Sequence, residues 1–175
     1  DLKVQHDWQG NWRQRTLLKF GLAEEHSDET YLGLSDTDFD AAPLRRYAAS
    51  RGDRFNSKHS KIHLIHKLEP AADLKVTVKG YGHRFDRSWL KLDGFIDGPS
   101  MVQVLEQPND YVAAYLTMTG ALNSDTSGLV IDKTNNARKY RSRGLSIDAV
   151  KTWLLPGEGT LSLNVSARSH VDGVR

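Results

Sequence analysis

Thr160-Leu-Ser-Leu-Asn-Val-Ser-Ala-Arg168 alternates without a break, with Leu161, Leu163, Val165 and Ala167 on one side and Thr160, Ser162, Asn164 and Ser166 on the other. Successive side chains of a β-strand point to opposite faces, so a period of two reads as a strand that is apolar on one side and polar on the other. Leu74-Lys-Val-Thr-Val-Lys-Gly-Tyr-Gly82 repeats the pattern, with Leu74, Val76 and Val78 opposite Lys75, Thr77 and Lys79. So does Thr16 to Leu22, where Leu18, Phe20 and Leu22 oppose Leu17, Lys19 and Gly21. Gly144 to Trp153, Lys61 to Leu68 and Leu2 to His6 complete an expected set of about six strands.

The connections between these strands alternate in length. Gln9-Gly-Asn11, Glu69-Pro-Ala-Ala-Asp73 and Pro156-Gly-Glu-Gly159 are short and carry turn residues. Between them lie two long connections, near 33–57 and 90–138. Loops beyond about 15 residues are uncommon in a compact domain. Tight hairpins at one end and elaborate ones at the other describe an antiparallel up-and-down meander of the kind that forms a large transmembrane β-barrel. Trp8, Trp12 and Trp153 all sit at the short-turn end, where interfacial aromatics of such a barrel collect. The same reading assigns Leu161, Leu163, Val165, Leu18, Phe20 and Leu22 to lipid, and Ser162, Asn164 and Ser166 to the lumen.

Inside the long connections, Pro99 to Glu106 and Asp110 to Met118 carry apolar residues at helical spacing, with Asn109 the expected N-cap of the second. Ser35 to Ala42 has room for one helical turn before Pro43, and Gly120 to Ala137 reads as polar loop. Composition sets the outer limits. The 175 residues are 38% hydrophobic and 26% charged with a net charge of +2, too even for a nucleic-acid-binding tail. No apolar run approaches the ~20 residues of a membrane helix, and a mean hydropathy of −0.55 is blind to alternating membrane strands. Zero cysteines remove disulfides, thiolate metal sites and cysteine nucleophiles together. The chain opens Asp-Leu-Lys-Val, so a start within a longer gene product is expected.

Two stretches of the first long connection, Ser27-Asp-Glu-Thr-Tyr-Leu-Gly-Leu-Ser-Asp-Thr-Asp-Phe39 and Pro43-Leu-Arg-Arg-Tyr-Ala-Ala-Ser50, resemble a segment of TonB-dependent outer-membrane receptors, nearest to the ferric-citrate-receptor-like branch of siderophore receptors. His66-Lys-Leu-Glu69 and Arg84-Phe-Asp-Arg-Ser-Trp-Leu-Lys-Leu-Asp-Gly94 extend the likeness over about the first 95 residues, and Lys139 to Ala149 follows it loosely. The resemblance implies a non-enzymatic receptor and transporter in the outer membrane of a Gram-negative bacterium. It would bind an iron chelate outside and import it with TonB-derived energy, with outer-membrane lipid around it and no resident cofactor. The plug domain, the TonB-binding box and the remaining barrel strands are not in this chain, so residues 1–175 are expected to form part of the barrel alone. A soluble all-β ligand- or protein-binding module with long recognition loops is the alternative.

Few residues point to chemistry. His59, His63 and His66 would line one face of a helix, but on a strand His59 and His63 share a face and His66 turns away, which argues against a metal site. Asp36-Thr-Asp-Phe-Asp40 opens like a calcium loop, yet Ala41 and Tyr47 stand where Gly and Glu are required. Gly80-Tyr-Gly82 lies in a strand and is followed by no third glycine, and no hydrolase motif or triad is present. Arg45, Arg46 and Tyr47 are the candidate ligand-binding residues, because guanidinium forks suit an anionic chelate. Their alternative role is to hold the loop by pairing with Asp36, Asp38 or Asp40.

Overall fold

A computed structural model describes Asp1–Arg175, the side chain of Gln9 excepted. The strands are β1 (Leu2–Gln9), β2 (Arg13–Ser27), β3 (Arg54–Ala71), β4 (Leu74–Ile96), β5 (Val130–Asn135), β6 (Arg138–Leu154) and β7 (Thr160–Val174). They form one sheet in the order β1-β2-β3-β4-β6-β7, with β5 paired to β4 off that path. The all-β expectation therefore holds, as a mostly antiparallel sheet in which consecutive strands pair, except that β4 pairs both β5 and β6.

Three expectations change. There are seven strands, because Val130–Asn135 pairs antiparallel with Leu90–Ile96 inside the stretch read as polar loop. The strands are also longer than the alternation showed: β3 begins at Arg54 and β4 runs on to Ile96, so both reach into the expected loops. Trp12, expected to flank a Gln9–Asn11 turn, lies within the turn, where the Gly10 amide donates to its carbonyl at 3.3 Å. The last turn falls where expected, and the one before it narrows from Glu69–Asp73 to two residues because β3 runs to Ala71. Ala72 and Asp73 join β3 to β4, and the β6–β7 turn uses positive φ at Gly157 (84°) and Glu158 (64°).

The chain divides into two compact units, to both of which β2, β3 and β4 contribute. The first comprises residues 1–24, 58–86 and 138–175. In it Leu2–Gln9 pairs with Arg13–Phe20, and Tyr140–Leu154 with Thr160–Val174, residue by residue without a register shift. Every residue of β7 is exposed, its apolar side included.

The second unit comprises residues 25–57 and 87–137 and has an apolar core of its own. Tyr47, Ala49, Leu92, Phe95, Val104, Ala114 and Met118 are buried there. Four short helices surround it: α1 (Asp36–Ala41), α2 (Met101–Glu106), α3 (Val112–Thr119) and α4 (Ser124–Ser127). Ser35 caps α1 by accepting from the Asp38 amide, and Ser100 with Gln103 forms a reciprocal capping box on α2. Asn109 is not the cap of α3. That helix starts two residues later, after Tyr111, with no side-chain cap, because Gln107 to Tyr111 is taken up by a separate hydrogen-bonded turn.

Candidate functional site

In the first unit the registers fix which side chains share a face. Opposed residues of an antiparallel pair point the same way. Leu161 opposes Trp153, Leu163 opposes Lys151 and Val165 opposes Ala149. On β1 and β2, Leu2 opposes Phe20, Val4 opposes Leu18 and Trp8 opposes Gln14. Contacts carry that face across the middle strands. Thr16 Oγ1 and His66 Nδ1 lie 2.9 Å apart, Ile62 packs beside Gly82, and Leu145 lies over Gly80. All six residues assigned to the apolar face, Leu18, Phe20, Leu22, Leu161, Leu163 and Val165, are exposed, as are Ile62, Leu64, Leu145 and Ile147 on the same side. Trp8 and Trp153 lie at its short-turn end. Lys151 is a charge on this face, and it reaches back to Asp73 in the β3–β4 turn at 2.5 Å.

The opposite face is polar and hydrogen-bonded. Lys79 meets Asp148 at 3.1 Å, Ser166 donates to Asp148 at 2.7 Å, and Thr152 pairs with Ser162 at 3.0 Å. Arg168 donates to the Tyr81 hydroxyl at 2.7 Å, which also meets His170 Nδ1 at 2.5 Å. His83 packs between His59 and His63, with ring centroids 5.7 and 4.8 Å away, whereas His66 belongs to the apolar face. Among the described residues, no group of three or more His, Cys, Asp or Glu is placed to hold a metal ion.

In the second unit Arg45, Arg46 and Tyr47 are brought into one network around Asp38. Arg45 donates to Asp38 at 2.7 Å, Tyr47 donates to it at 2.6 Å, and the Tyr115 hydroxyl donates to it as well. The Ser35 amide donates to the Tyr47 hydroxyl at 3.0 Å. Donors crowd this carboxylate, and the hydroxyls of Tyr115 and Tyr47, then the Arg45 charge, hold Asp38 below its ordinary range. Burial, reinforced by the bond to Asp38, pushes Tyr47 up to about 12. Tyr47, an expected ligand contact, is 2% exposed and occupies a core position. Arg46 donates to the carbonyls of Ser50 at 2.6 Å, Asp53 at 2.9 Å and Asp28 at 2.9 Å. Arg45 keeps 42% of its side chain exposed. The pairing with Asp38 is the loop-holding alternative that the sequence also offered.

Sequence reasoning missed Asp53. It is 1% exposed and accepts from Thr30 Oγ1 at 2.7 Å and from the Leu92 amide at 3.0 Å, with Lys133 at 3.6 Å. The Leu92 amide lies beside the register shift between Leu92 and Gly94, so the carboxylate binds backbone where the ladder is irregular. Only the tertiary fold brings these partners together, and Gly52-Asp53 reads locally as an ordinary turn. Compared with known proteins, the chain matches no protein-family model and no curated protein.

Proposed function

We propose that this chain is a section of the wall of an outer-membrane β-barrel receptor of the TonB-dependent type, which takes up an anionic ferric chelate. The observation that carries the reading is the pair of unlike faces in the first unit. An exposed apolar face bears Leu18, Phe20, Ile62, Leu145, Leu163 and Val165, and its reverse is lined by a charged, hydrogen-bonded set. Water solvates both sides of a soluble sheet, so an apolar side needs either a packed partner or lipid. Barrel strands in a membrane have this alternation, with short turns at one end and long loops at the other. The ferric chelate and the TonB coupling rest on the resemblance of residues 27–50 and 84–94.

Within this reading, the second unit is built from the external loops. Arg45 is the member of the Arg pair with surface left for an anion, and Arg46 ties the loop to its own backbone.

Residues 1–175 hold no cysteine, so single labels within them report cleanly once any cysteine elsewhere in the receptor is replaced. Nitroxides at Leu163→Cys and Asn164→Cys in the full-length receptor, folded into liposomes, should differ. The first should be relaxed by dissolved oxygen and the second by a water-soluble nickel chelate. Equal access of the nickel chelate to both, or a chain that is a monodisperse monomer in plain buffer, identifies the soluble binding module instead.

A further inference from the structure

The apolar face is not apolar along its whole length. Arg141 opposes Gly173 and Arg143 opposes Val171, so both share the face of Leu145 and Leu163. With Arg84 they line a groove of about 560 Å³ whose other walls include Phe20, Ile62 and Val171. Gly82 and Gly173 leave its floor bare, and a Cβ added at Gly173 would meet nothing within 4 Å. Arg84 is held by Asp86 at 2.7 Å, and the charge of Arg141 also reaches that carboxylate. Arg141 and Arg143 are exposed, and neither makes a salt bridge within 4 Å among the described residues. Asp172 is the one carboxylate lining the groove. It belongs to the opposite face, where His170 holds it at 2.8 Å.

The position of the arginines along the strand matters as much as their charge. Trp153 and Arg143 are on one strand and one face, ten residues apart. That is roughly 33 Å of strand, or about 25 Å of height at a barrel tilt of about 40°, the height of an apolar membrane band. If Trp153 marks one interface, the guanidiniums lie at the headgroup level of the other. Three arginines share the one Asp86 carboxylate on this face, and the surplus positive charge beside an apolar trough calls for an anion that carries a hydrocarbon chain. Guanidinium forks match phosphate oxygens, and Phe20, Ile62 and Val171 offer the chain a wall free of polar groups.

We propose that this groove binds a phosphate-bearing acyl lipid, with the phosphate on Arg141 and Arg143 and one acyl chain lying between Phe20, Ile62 and Val171. The inference rests on the barrel-wall reading, which places this face in lipid.

The test uses the full-length receptor in phosphatidylcholine vesicles with and without phosphatidic acid. Lipid retained after detergent extraction is counted by native mass spectrometry. The wild type should retain phosphatidic acid in preference to phosphatidylcholine. Arg141→Gln with Arg143→Gln should lower that retention about tenfold or more, as expected for loss of charge-assisted bonds. Lys75→Gln, at the short-turn end of the other face, should leave it unchanged. Undiminished retention in the double variant overturns the site. Equal displacement by inorganic phosphate overturns the acyl component and leaves a simple anion site. The nitroxide at Leu163→Cys separates the two failures. Oxygen access there with no effect of the arginines defeats this inference alone, whereas nickel-chelate access defeats the barrel-wall reading beneath it.

Discussion

Tyr47 donates its hydroxyl to Asp38 at 2.6 Å, and both residues are buried in the second unit. The bond couples a phenol that must stay protonated to a carboxylate that must stay charged, so acid and base attack the same contact from opposite sides. Asp38 has its folded pKa depressed by Tyr115, Tyr47 and Arg45. Its contribution is therefore present above the unfolded value of about 3.9 and is lost as pH falls through the folded value. Tyr47 has its folded value raised, so its contribution is complete below about 10 and is lost as pH rises to about 12. Thermal melts of the second unit, followed by near-UV circular dichroism, should fall off on both limbs. Asp38→Asn should remove the acid limb and cost about 1–3 kcal/mol at neutral pH. An unchanged acid limb in that variant would assign the dependence to other carboxylates.

Asp53 is the second internal organiser, and its loss should be felt at a distance in sequence. Asp53→Ala leaves the Leu92 amide and the Thr30 hydroxyl without their acceptor, for a cost of about 3 kcal/mol. Limited proteolysis should then cut within 25–57 and 87–137 while 138–175 stays protected. Cleavage spread evenly over the chain would show that Asp53 serves the whole sheet.

The two arginines should separate in function. Arg46→Gln removes donors to the carbonyls of Ser50, Asp53 and Asp28, so the loop should become protease-sensitive. Arg45→Gln should leave the loop closed and weaken chelate binding about ten- to a hundredfold, the worth of one charge-assisted contact. Titration of ferric chelate into each variant, run beside the protease assay, makes the distinction. Full affinity in Arg45→Gln would confine that residue to its pairing with Asp38.

Leu163 and Asn164 are neighbours with opposite fates under the barrel-wall reading. Arg at a mid-membrane lipid-facing position costs about 2–4 kcal/mol, and a lumen position tolerates it. Urea-titrated folding into liposomes should show Leu163→Arg destabilised by that amount and Asn164→Arg nearly unaffected. Equal losses would remove the assignment of faces.

Gly144 lies directly under Tyr81. A Cβ there would meet Tyr81 Oη at 2.4 Å and the Ser169 carbonyl at 2.8 Å, so no side chain fits without moving the ring. Gly144→Ala should cost about 1–3 kcal/mol through this crowding. Most of that cost should vanish when Tyr81→Ala is added, because the two changes share one contact. Additive losses in the double-mutant cycle would place the strain in the Ser169 backbone instead.

Much of the sheet is legible in the sequence because alternation survives wherever the two sides meet different surroundings, as from Thr160 to Arg168. It fails where both sides become polar. Arg84-Phe-Asp-Arg-Ser-Trp89 gives no period, yet β4 runs through it. Val130-Ile-Asp-Lys-Thr-Asn135 is a strand only because β4 offers it a ladder. The Arg45–Asp38 pair could be named from charge and proximity. Burial of Asp38 and Asp53 could not, since a carboxylate enters a core only with donors that the tertiary fold assembles. Arg141 and Arg143 look like ordinary surface charges until the register sets them opposite Gly173 and Val171.

The unequal connections also set an order of events. Ala72 and Asp73 close the β3–β4 hairpin, and residues 155–159 close β6–β7, so each can zip from its turn on a microsecond scale. Joining β4 to β6 must bridge residues 97–137, and each doubling of loop length adds about 0.6 kcal/mol of closure entropy. Separate hairpins should therefore form early and meet late, with the meeting of β4 and β6 as the slow step. Evolution can lengthen the 97–129 segment with little effect on the finished sheet, whereas one residue added at Ala72-Asp73 would shift the register and turn the side chains of an entire strand over.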